Sequence, residues 1–395
     1  MRRTAPTLSP TPAAGGDLRG ECKSLVSFLA VTLLCVCTGF SAAFGATRDS
    51  LQTGRDIYEA ACVNCHGATG EGAPVDRLGF DPPATFPDFT RCDQTSVESD
   101  LHWRAIVRDG GRARGFSPIM PAFGDALTAR QIATVVSQLR AFCKDDRWPR
   151  GELNLPKALL TEKAFPENEL VWSHARATRA PAFDEGEIAY ERRIGKLAQM
   201  ELVLPYAFRT TDGGTRVGGM GDVAAALKRV LISRLSPGGD RGQMLALQGE
   251  LSLPTGSERK GSGAGQSVFG IAANYGALFP GSAFLQAQLG ADLPAHSGPG
   301  TAYLHVALGR SFAADGGYGR LWTPMIEAVA ERDLQSGART HWDAVPEFQV
   351  TLSSRQHVRF NAGYRVPVSD TEGRPRQFLC YVLWDWFDGG LTEGW

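Results

Sequence analysis

Cys62-Val63-Asn64-Cys65-His66 is the stretch whose reading decides most about this chain. Two thiols three positions apart add across the two vinyl groups of a haem, and the histidine that follows supplies an imidazole to the iron. The stretch predicts one covalently attached c-type haem. A bare CxxC also fits a zinc knuckle, but zinc needs a second ligand pair at similar spacing, and Cys22, Cys35, Cys37, Cys92, Cys143 and Cys380 provide none. A redox dithiol calls for CxxC at the opening of a helix in a βαβ unit and requires no histidine. Here Gly67-Ala68-Thr69-Gly70-Glu71-Gly72 follows, which reads as a flexible loop.

Working outward, residues 53–61 read as a short helix with Gly54 and Tyr58 four positions apart on one face. A glycine there lets a second helix approach closely. The partner expected is residues 128–142, where Thr128 and Gln131 form a capping box and Ile132, Val135, Val136, Leu139 and Phe142 make an apolar stripe. Between them, residues 97–108 read as a third helix stopped by Gly110-Gly111. In Pro118-Ile119-Met120-Pro121-Ala122-Phe123-Gly124, Met120 lies between two prolines in a segment that cannot continue a helix. Its thioether is the candidate second axial ligand; the alternatives are that Met120 fills a gap in the core, or that His102 takes the position.

With these motifs in place, residues 51–143 resemble the small single-haem, class I type cytochrome c family. The resemblance implies thioether bonds from Cys62 and Cys65, His66 as the proximal iron ligand and Met120 as the distal one. It covers about a quarter of the chain.

Residues 1–45 have the layout of a secretory signal: Arg19 and Lys23, then the apolar run from Leu25 to Leu34, then small residues around Ser41-Ala42-Ala43. Cleavage after Gly45 or Ala46 is the simplest expectation, and an uncleaved anchor is the alternative. Export fits the haem, and in an oxidising compartment Cys92 and Cys143 are able to pair in a disulfide. Cys380 sits alone in a strand-like run.

The cytochrome domain is therefore expected over 46–143, followed by a proline-containing linker over 144–185 with Pro149, Pro156, Pro166 and Pro181 among mixed charges. From 186 to 395 the chain is glycine-rich and alternates. Phe360, Ala362, Tyr364 and Val366 alternate with polar residues and glycine, as do Phe348, Val350 and Leu352, and Met200, Leu202, Leu204, Tyr206 and Phe208 share one face. Turn signals such as Thr211-Asp212-Gly213-Gly214 and Ser236-Pro237-Gly238-Gly239 divide this half into about ten to twelve antiparallel strands of about ten residues each. The fold class expected is multidomain: an all-α cytochrome c fold, then an all-β domain that is a barrel with its apolar face to lipid, a soluble β-domain being the alternative. Trp322, Trp342, Trp384 and Trp386 fall near strand ends, where they suit a membrane interface. This half also loosely resembles the transporter-like outer-membrane proteins of the meta-cleavage pathway of phenol degradation, through Tyr190-Glu191-Arg192-Arg193-Ile194-Gly195, Leu251-Ser252-Leu253-Pro254-Thr255-Gly256 and Phe360-Asn361-Ala362-Gly363-Tyr364.

With 41 basic and 42 acidic residues the chain is nearly neutral and carries no basic block that would hold nucleic acid. No phosphate loop or nucleophilic triad is legible. The function expected is electron transfer by one haem c with His66 and Met120 as axial ligands, not enzymatic turnover. The partners expected are periplasmic or outer-membrane redox proteins and the outer membrane itself. The alternative is an outer-membrane channel for small or aromatic solutes with the cytochrome as redox partner or gate. A haem peroxidase would need an open iron position, against which Met120 counts.

Overall fold

The computed structural model describes residues 53–83, 86–177, 182–211, 213–313, 320–353 and 356–385. The expected signal over 1–45 and the residues from Trp386 onward lie outside that range.

Three helices of eight residues or more build the N-terminal part, α1 (Gly54–Ala61), α2 (Asp100–Asp109) and α3 (Ala129–Arg140), with single turns at Val63–His66 and Cys92–Thr95. Each starts where side-chain chemistry favours it. Thr53 and Asp56 close a capping box on α1, and Thr128 and Gln131 close the expected one on α3, each satisfying backbone N–H groups that have no helical partner. Helix α2 is stopped by Gly110, which takes a φ of 80° that side chains disfavour. Helices α1 and α3 pack face to face: a Cβ on Gly54 would run into the Thr134 carbonyl and Gln138, so only glycine allows the approach. Ile57, Tyr58, Phe89, Val107, Ile132, Val135, Val136 and Leu139 form the core between them. Cys92 and Cys143, whose pairing the sequence left open, form a disulfide with their Cα atoms 5.1 Å apart.

The second part is a closed antiparallel barrel of twelve strands. They are β1 (Glu169–Ala177), β2 (Phe183–Ile194), β3 (Ala198–Thr210), β4 (Ala224–Leu235), β5 (Gly242–Ser252), β6 (Val268–Phe279), β7 (Ala283–Pro294), β8 (Thr301–Arg310), β9 (Leu321–Asp333), β10 (His341–Thr351), β11 (Val358–Pro367) and β12 (Gln377–Asp385). Arg216–Met220 extends the ribbon against β3, and Phe312–Ala313 extends it against β9. Neighbours in sequence are neighbours in the sheet, and β1 pairs with β12 from Glu169↔Asp385 to Ala177↔Gln377, so among the described residues no strand of the ring is left with an unpaired edge.

The alternation read from the sequence sorts the two faces. Leu227, Ile271, Leu289, Leu308 and Phe348 point outward and are exposed, whereas Glu191, Gln199, Lys228, Asn274, Glu327 and Asn361 point inward and are buried. An apolar outside around a polar inside is the layout of a barrel that spans a bilayer. Trp322 and Trp342 lie on the outer face near strand ends. No helix among the described residues is long and apolar enough to cross a membrane.

The linker differs from the expectation. The barrel begins at Glu169, seventeen residues before the expected boundary of 186, and residues 154–167 are not an external connector but a loop folded into the barrel lumen. Leu153 enters beside Leu235 and Met244 at one mouth. The tip at Leu159 and Leu160 reaches Val329, Val345 and Leu379, and Glu167 returns to the first mouth, where β1 starts. Backbone groups of this plug are satisfied by the barrel wall. Gln286 donates to the Pro156 carbonyl at 2.7 Å; the Lys157 carbonyl accepts from Gln349 at 3.0 Å and Tyr381 at 2.6 Å; Leu159 N–H donates to Glu347 at 3.0 Å and Thr161 N–H to Glu327 at 2.7 Å. Lys163 pairs with Glu167 and Glu169, so the buried ammonium is compensated.

Candidate functional site

Directly after α1 the chain turns through Val63–His66, so Cys62, Cys65 and His66 are presented along one short helical stretch. The turn is rigid. Tyr58 donates its hydroxyl to the Gly67 carbonyl at 2.6 Å, Ala73 N–H donates to the Cys65 carbonyl at 2.8 Å, and Phe89 N–H to the Gly70 carbonyl at 2.8 Å. Gly70 takes a φ of 86° and lies against the Phe142 ring, leaving no room for a side chain. The loop read as flexible from its glycines is in fact pinned.

His66 is buried, its ring stacked on Phe86 with centroids 5.2 Å apart and tilted against Phe89 at 4.8 Å. Burial pushes its pKa down to about 4, so the imidazole is neutral near pH 7, the form that ligates a metal. Its Nδ1 is buried without a hydrogen-bond partner. Burial likewise pushes the Cys62 thiol up to about 11, and neither Cys62 nor Cys65 is in a disulfide.

Met120 sits on the loop that leaves α2. Gly111 N–H donates to the Met120 carbonyl at 3.1 Å, Phe123 N–H to the Val107 carbonyl at 3.0 Å and Gly124 N–H to the Arg108 carbonyl at 2.9 Å, so the loop is strapped to the helix end. Cys62, Cys65, His66 and Met120 line one cavity of about 920 Å³. Phe80, Phe86, Phe89, Trp103, Ile106 and Leu139 supply much of the remaining wall. A flat, apolar macrocycle with one polar edge fits such a space: two thiols at one side, a buried neutral imidazole and a thioether.

His102 also reaches this cavity, but both of its ring nitrogens are engaged, Nδ1 with Glu98 and Nε2 with Gln356 Oε1 at 2.8 Å. Gln356 belongs to the barrel mouth, so this contact joins the two parts of the molecule. Others do the same: Lys196 pairs with Asp145, and Arg193 lies over the Trp148 ring at 4.9 Å. The cavity wall accordingly includes residues that the sequence reading left out of the site, namely Trp148, Asn168, Arg192, Arg193 and Gly195. The run Tyr190-Glu191-Arg192-Arg193-Ile194-Gly195 was legible as barrel sequence, but nothing in it marks a place in this cavity.

Residues 49–137 match the family described as cytochrome c oxidase, cbb3-type, subunit III. This part of the chain is a cytochrome c domain. The match takes in Cys62, Cys65, His66 and Met120 and leaves out the barrel. No curated protein matches the sequence. Among solved structures, an outer-membrane channel from Pseudomonas putida F1 is similar at 11% identity and a TM-score of 0.40, covering 56% of this chain and 97% of the channel. The NanC porin is similar at 6% identity and a TM-score of 0.38, covering 55% and 99%. The β domain of the Bordetella autotransporter BrkA is similar at 15% identity and a TM-score of 0.33, covering 55% and 97%. These likenesses are weak, and the barrel rests on its own strand pairing.

Proposed function

We propose that this protein is an electron carrier with one covalent haem c, held at the periplasmic mouth of an outer-membrane barrel. The observation that carries the reading is the shared cavity: the two thiols, the buried neutral imidazole and the thioether converge on one apolar space. In this reading Cys62 and Cys65 hold the haem by thioether bonds, and His66 and Met120 are its axial ligands. When bound, the haem supplies a one-electron couple, whose potential a methionine ligand and burial raise. The chain's own residues fix both ligands: the Gly67 to Phe89 bonds hold His66, and the strap onto α2 holds Met120. Phe86, Phe89 and Trp103 exclude water from the cavity.

Placement at the periplasmic side is supported by loop lengths. The short connections 195–197 and 280–282 lie at the mouth that carries the cytochrome domain, and the long connection 253–267 lies at the other. Outer-membrane barrels keep short turns on the periplasmic side. Soluble or membrane redox proteins of the periplasm are then the donors and acceptors.

A second reading, a channel for small solutes, draws on one observation. A cavity of about 530 Å³ lies between the plug tip at Leu159 and Leu160 and the loop around Gly261 to Ala264. The plug itself weighs against it, since residues 154–167 fill the lumen on the periplasmic side of that cavity.

The test is fractionation of expressing cells with haem staining, on wild type and Met120→Ala. The expected result is a haem-stained band in the outer-membrane fraction, and loss in the variant of the weak long-wavelength absorption of iron–sulfur ligation. Haem only in the soluble periplasm would sink the barrel anchorage, and an unchanged absorption would sink Met120 as ligand.

A further inference from the structure

At the barrel rim away from the cytochrome domain, the outer face carries Leu251, Phe269, Leu293, Trp342 and Phe378, all apolar and exposed. The sector of β1 to β3 differs. There His174 and Arg176 of β1, Asp184 of β2, Tyr206 of β3 and Arg216 of the segment paired with β3 share the outer face. A row of rings forms a floor across this sector. Trp172 and His174 lie in near-parallel planes with centroids 6.0 Å apart, His174 and Tyr206 follow at 6.2 Å, and Phe208 continues the row 6.4 Å from Tyr206. His174 Nδ1 and the Tyr206 hydroxyl share a hydrogen bond of 3.0 Å across Gly186, the β2 residue in register between them. A Cβ on Gly186 would come within 2.5 Å of that hydroxyl, so the floor is laid over a glycine. Two guanidiniums stand beside it. Arg216 lies over the Phe208 ring at 4.8 Å with Nη2 3.2 Å from Asp184 Oδ2, and Arg176 Nε is 3.6 Å from Asp184 Oδ1. Asp184 spaces the two cations and offsets one of them. The Arg176 and Arg216 side chains remain 69% and 61% exposed, so their other nitrogens are accessible.

We infer that this platform binds the phosphorylated sugar headgroup of a glycolipid in the outer leaflet. This rests on the outer-membrane placement and sidedness proposed above and goes beyond them by giving one face of the barrel a lipid partner. Arginine keeps its charge, and a lipid-facing arginine is costly unless it sits near the interface or meets an anion. Phosphate fits the guanidinium pair, which offers several charge-assisted N–H donors at the rim. Sugar rings fit the floor, because the C–H face of a pyranose packs on an aromatic face. Acyl chains then run down the exposed side chains of Ile188 and Leu202 below it. A simple anionic phospholipid would use the guanidiniums and leave the row of rings without a partner.

The test uses the full-length protein purified from outer membranes in mild detergent. Native mass spectrometry reads lipid bound after incubation with bisphosphorylated lipid A, fully dephosphorylated lipid A or phosphatidylglycerol. The proteins compared are wild type, Arg176→Gln with Arg216→Gln, and Arg332→Gln as a control on β9, outside the platform. Wild type and Arg332→Gln are expected to take up bisphosphorylated lipid A in preference to the other two lipids, and the double variant to bind it at least about tenfold more weakly. Undiminished uptake by the double variant overturns the inference. Equal uptake of the phosphorylated and dephosphorylated forms by wild type overturns it as well, and decides the matter even where the double variant fails to assemble. Equal uptake of phosphatidylglycerol reduces the patch to a general anion rim and overturns the glycolipid. A wild-type dimer that the double substitution splits, with no lipid taken up, assigns the face to a second copy of the chain instead. Protein recovered in the soluble periplasm removes the barrel anchorage itself, an outcome distinct from an outer-membrane barrel that takes up no lipid.

Discussion

The cytochrome domain and the barrel put opposite surfaces inside. In the first, Val135 and Val136 are fully buried and the polar faces of α1 and α3 meet solvent. In the second, Lys163, Glu169, Gln199 and Glu327 are buried, while Ile271 is 59% and Leu289 61% exposed. Each follows from the medium outside: water rewards burial of hydrocarbon, whereas lipid does not, and a barrel interior has to satisfy its own polar groups. The difference teaches that burial alone says nothing about a core. The helical part is stabilised by apolar contact, and the lumen by paired charges and by hydrogen bonds onto the plug backbone.

The largest expected effect tests how separate the two parts are. Cys62→Ala with Cys65→Ala is expected to abolish haem staining, while the barrel still shows the heat-dependent gel migration of a folded barrel. Loss of that migration would mean the barrel depends on the loaded cytochrome domain. Next comes the lumen. Deleting residues 156–165 is expected to raise solute flux in liposomes from near zero to that of an open pore, since a ring of this size is wider than one that its wall side chains fill unaided. Flux unchanged by the deletion would show that the wall side chains close the lumen without the plug.

Smaller effects belong to the helical part. Removing the disulfide by Cys92→Ser with Cys143→Ser is expected to destabilise it by about 2–4 kcal/mol in denaturant titration, with barrel migration unaffected. In haem-free protein, His66 takes up a proton near pH 6.5 when unfolded and only near about 4 when folded. The unfolded state binds more protons in that window, so stability rises with pH from about 4 to 6.5, by at most about 3 kcal/mol, and is lost again on acidification. A His66→Gln variant with the same pH slope would assign the slope to other groups. The smallest is Thr128→Ala, which removes the cap of α3 and is expected to cost about 1 kcal/mol by thermal unfolding.

Much of this was legible in the sequence because the signals are local. CxxCH, the Thr128 and Gln131 box, Gly54 and Tyr58 on one face, and the period of two in the β half each depend on residues within a few positions, and the structure places the box, the close helix approach at Gly54 and the alternation as read. The plug was not legible. Residues 154–167 carry prolines and mixed charges without any period, and their partners Glu327, Glu347 and Gln349 lie more than a hundred positions away. Strand β1 was missed for a related reason. His174 and Arg176 interrupt its outward apolar face, so the alternation that marks the other strands is broken. Arg193 escaped because its place in the cavity depends on which mouth receives the cytochrome domain, a matter of tertiary placement.

The plug enters the lumen at Leu153 and comes back out before Glu169 through the same opening. The chain ahead of β1 is thus a loop pushed into a ring and not a thread passed through it. It is topologically free to slide out toward the cytochrome side without unzipping a single strand pair. The closing seam between β1 and β12 starts beside that opening, at Glu169↔Asp385, so the plug and the last strand pair meet at one place on the rim.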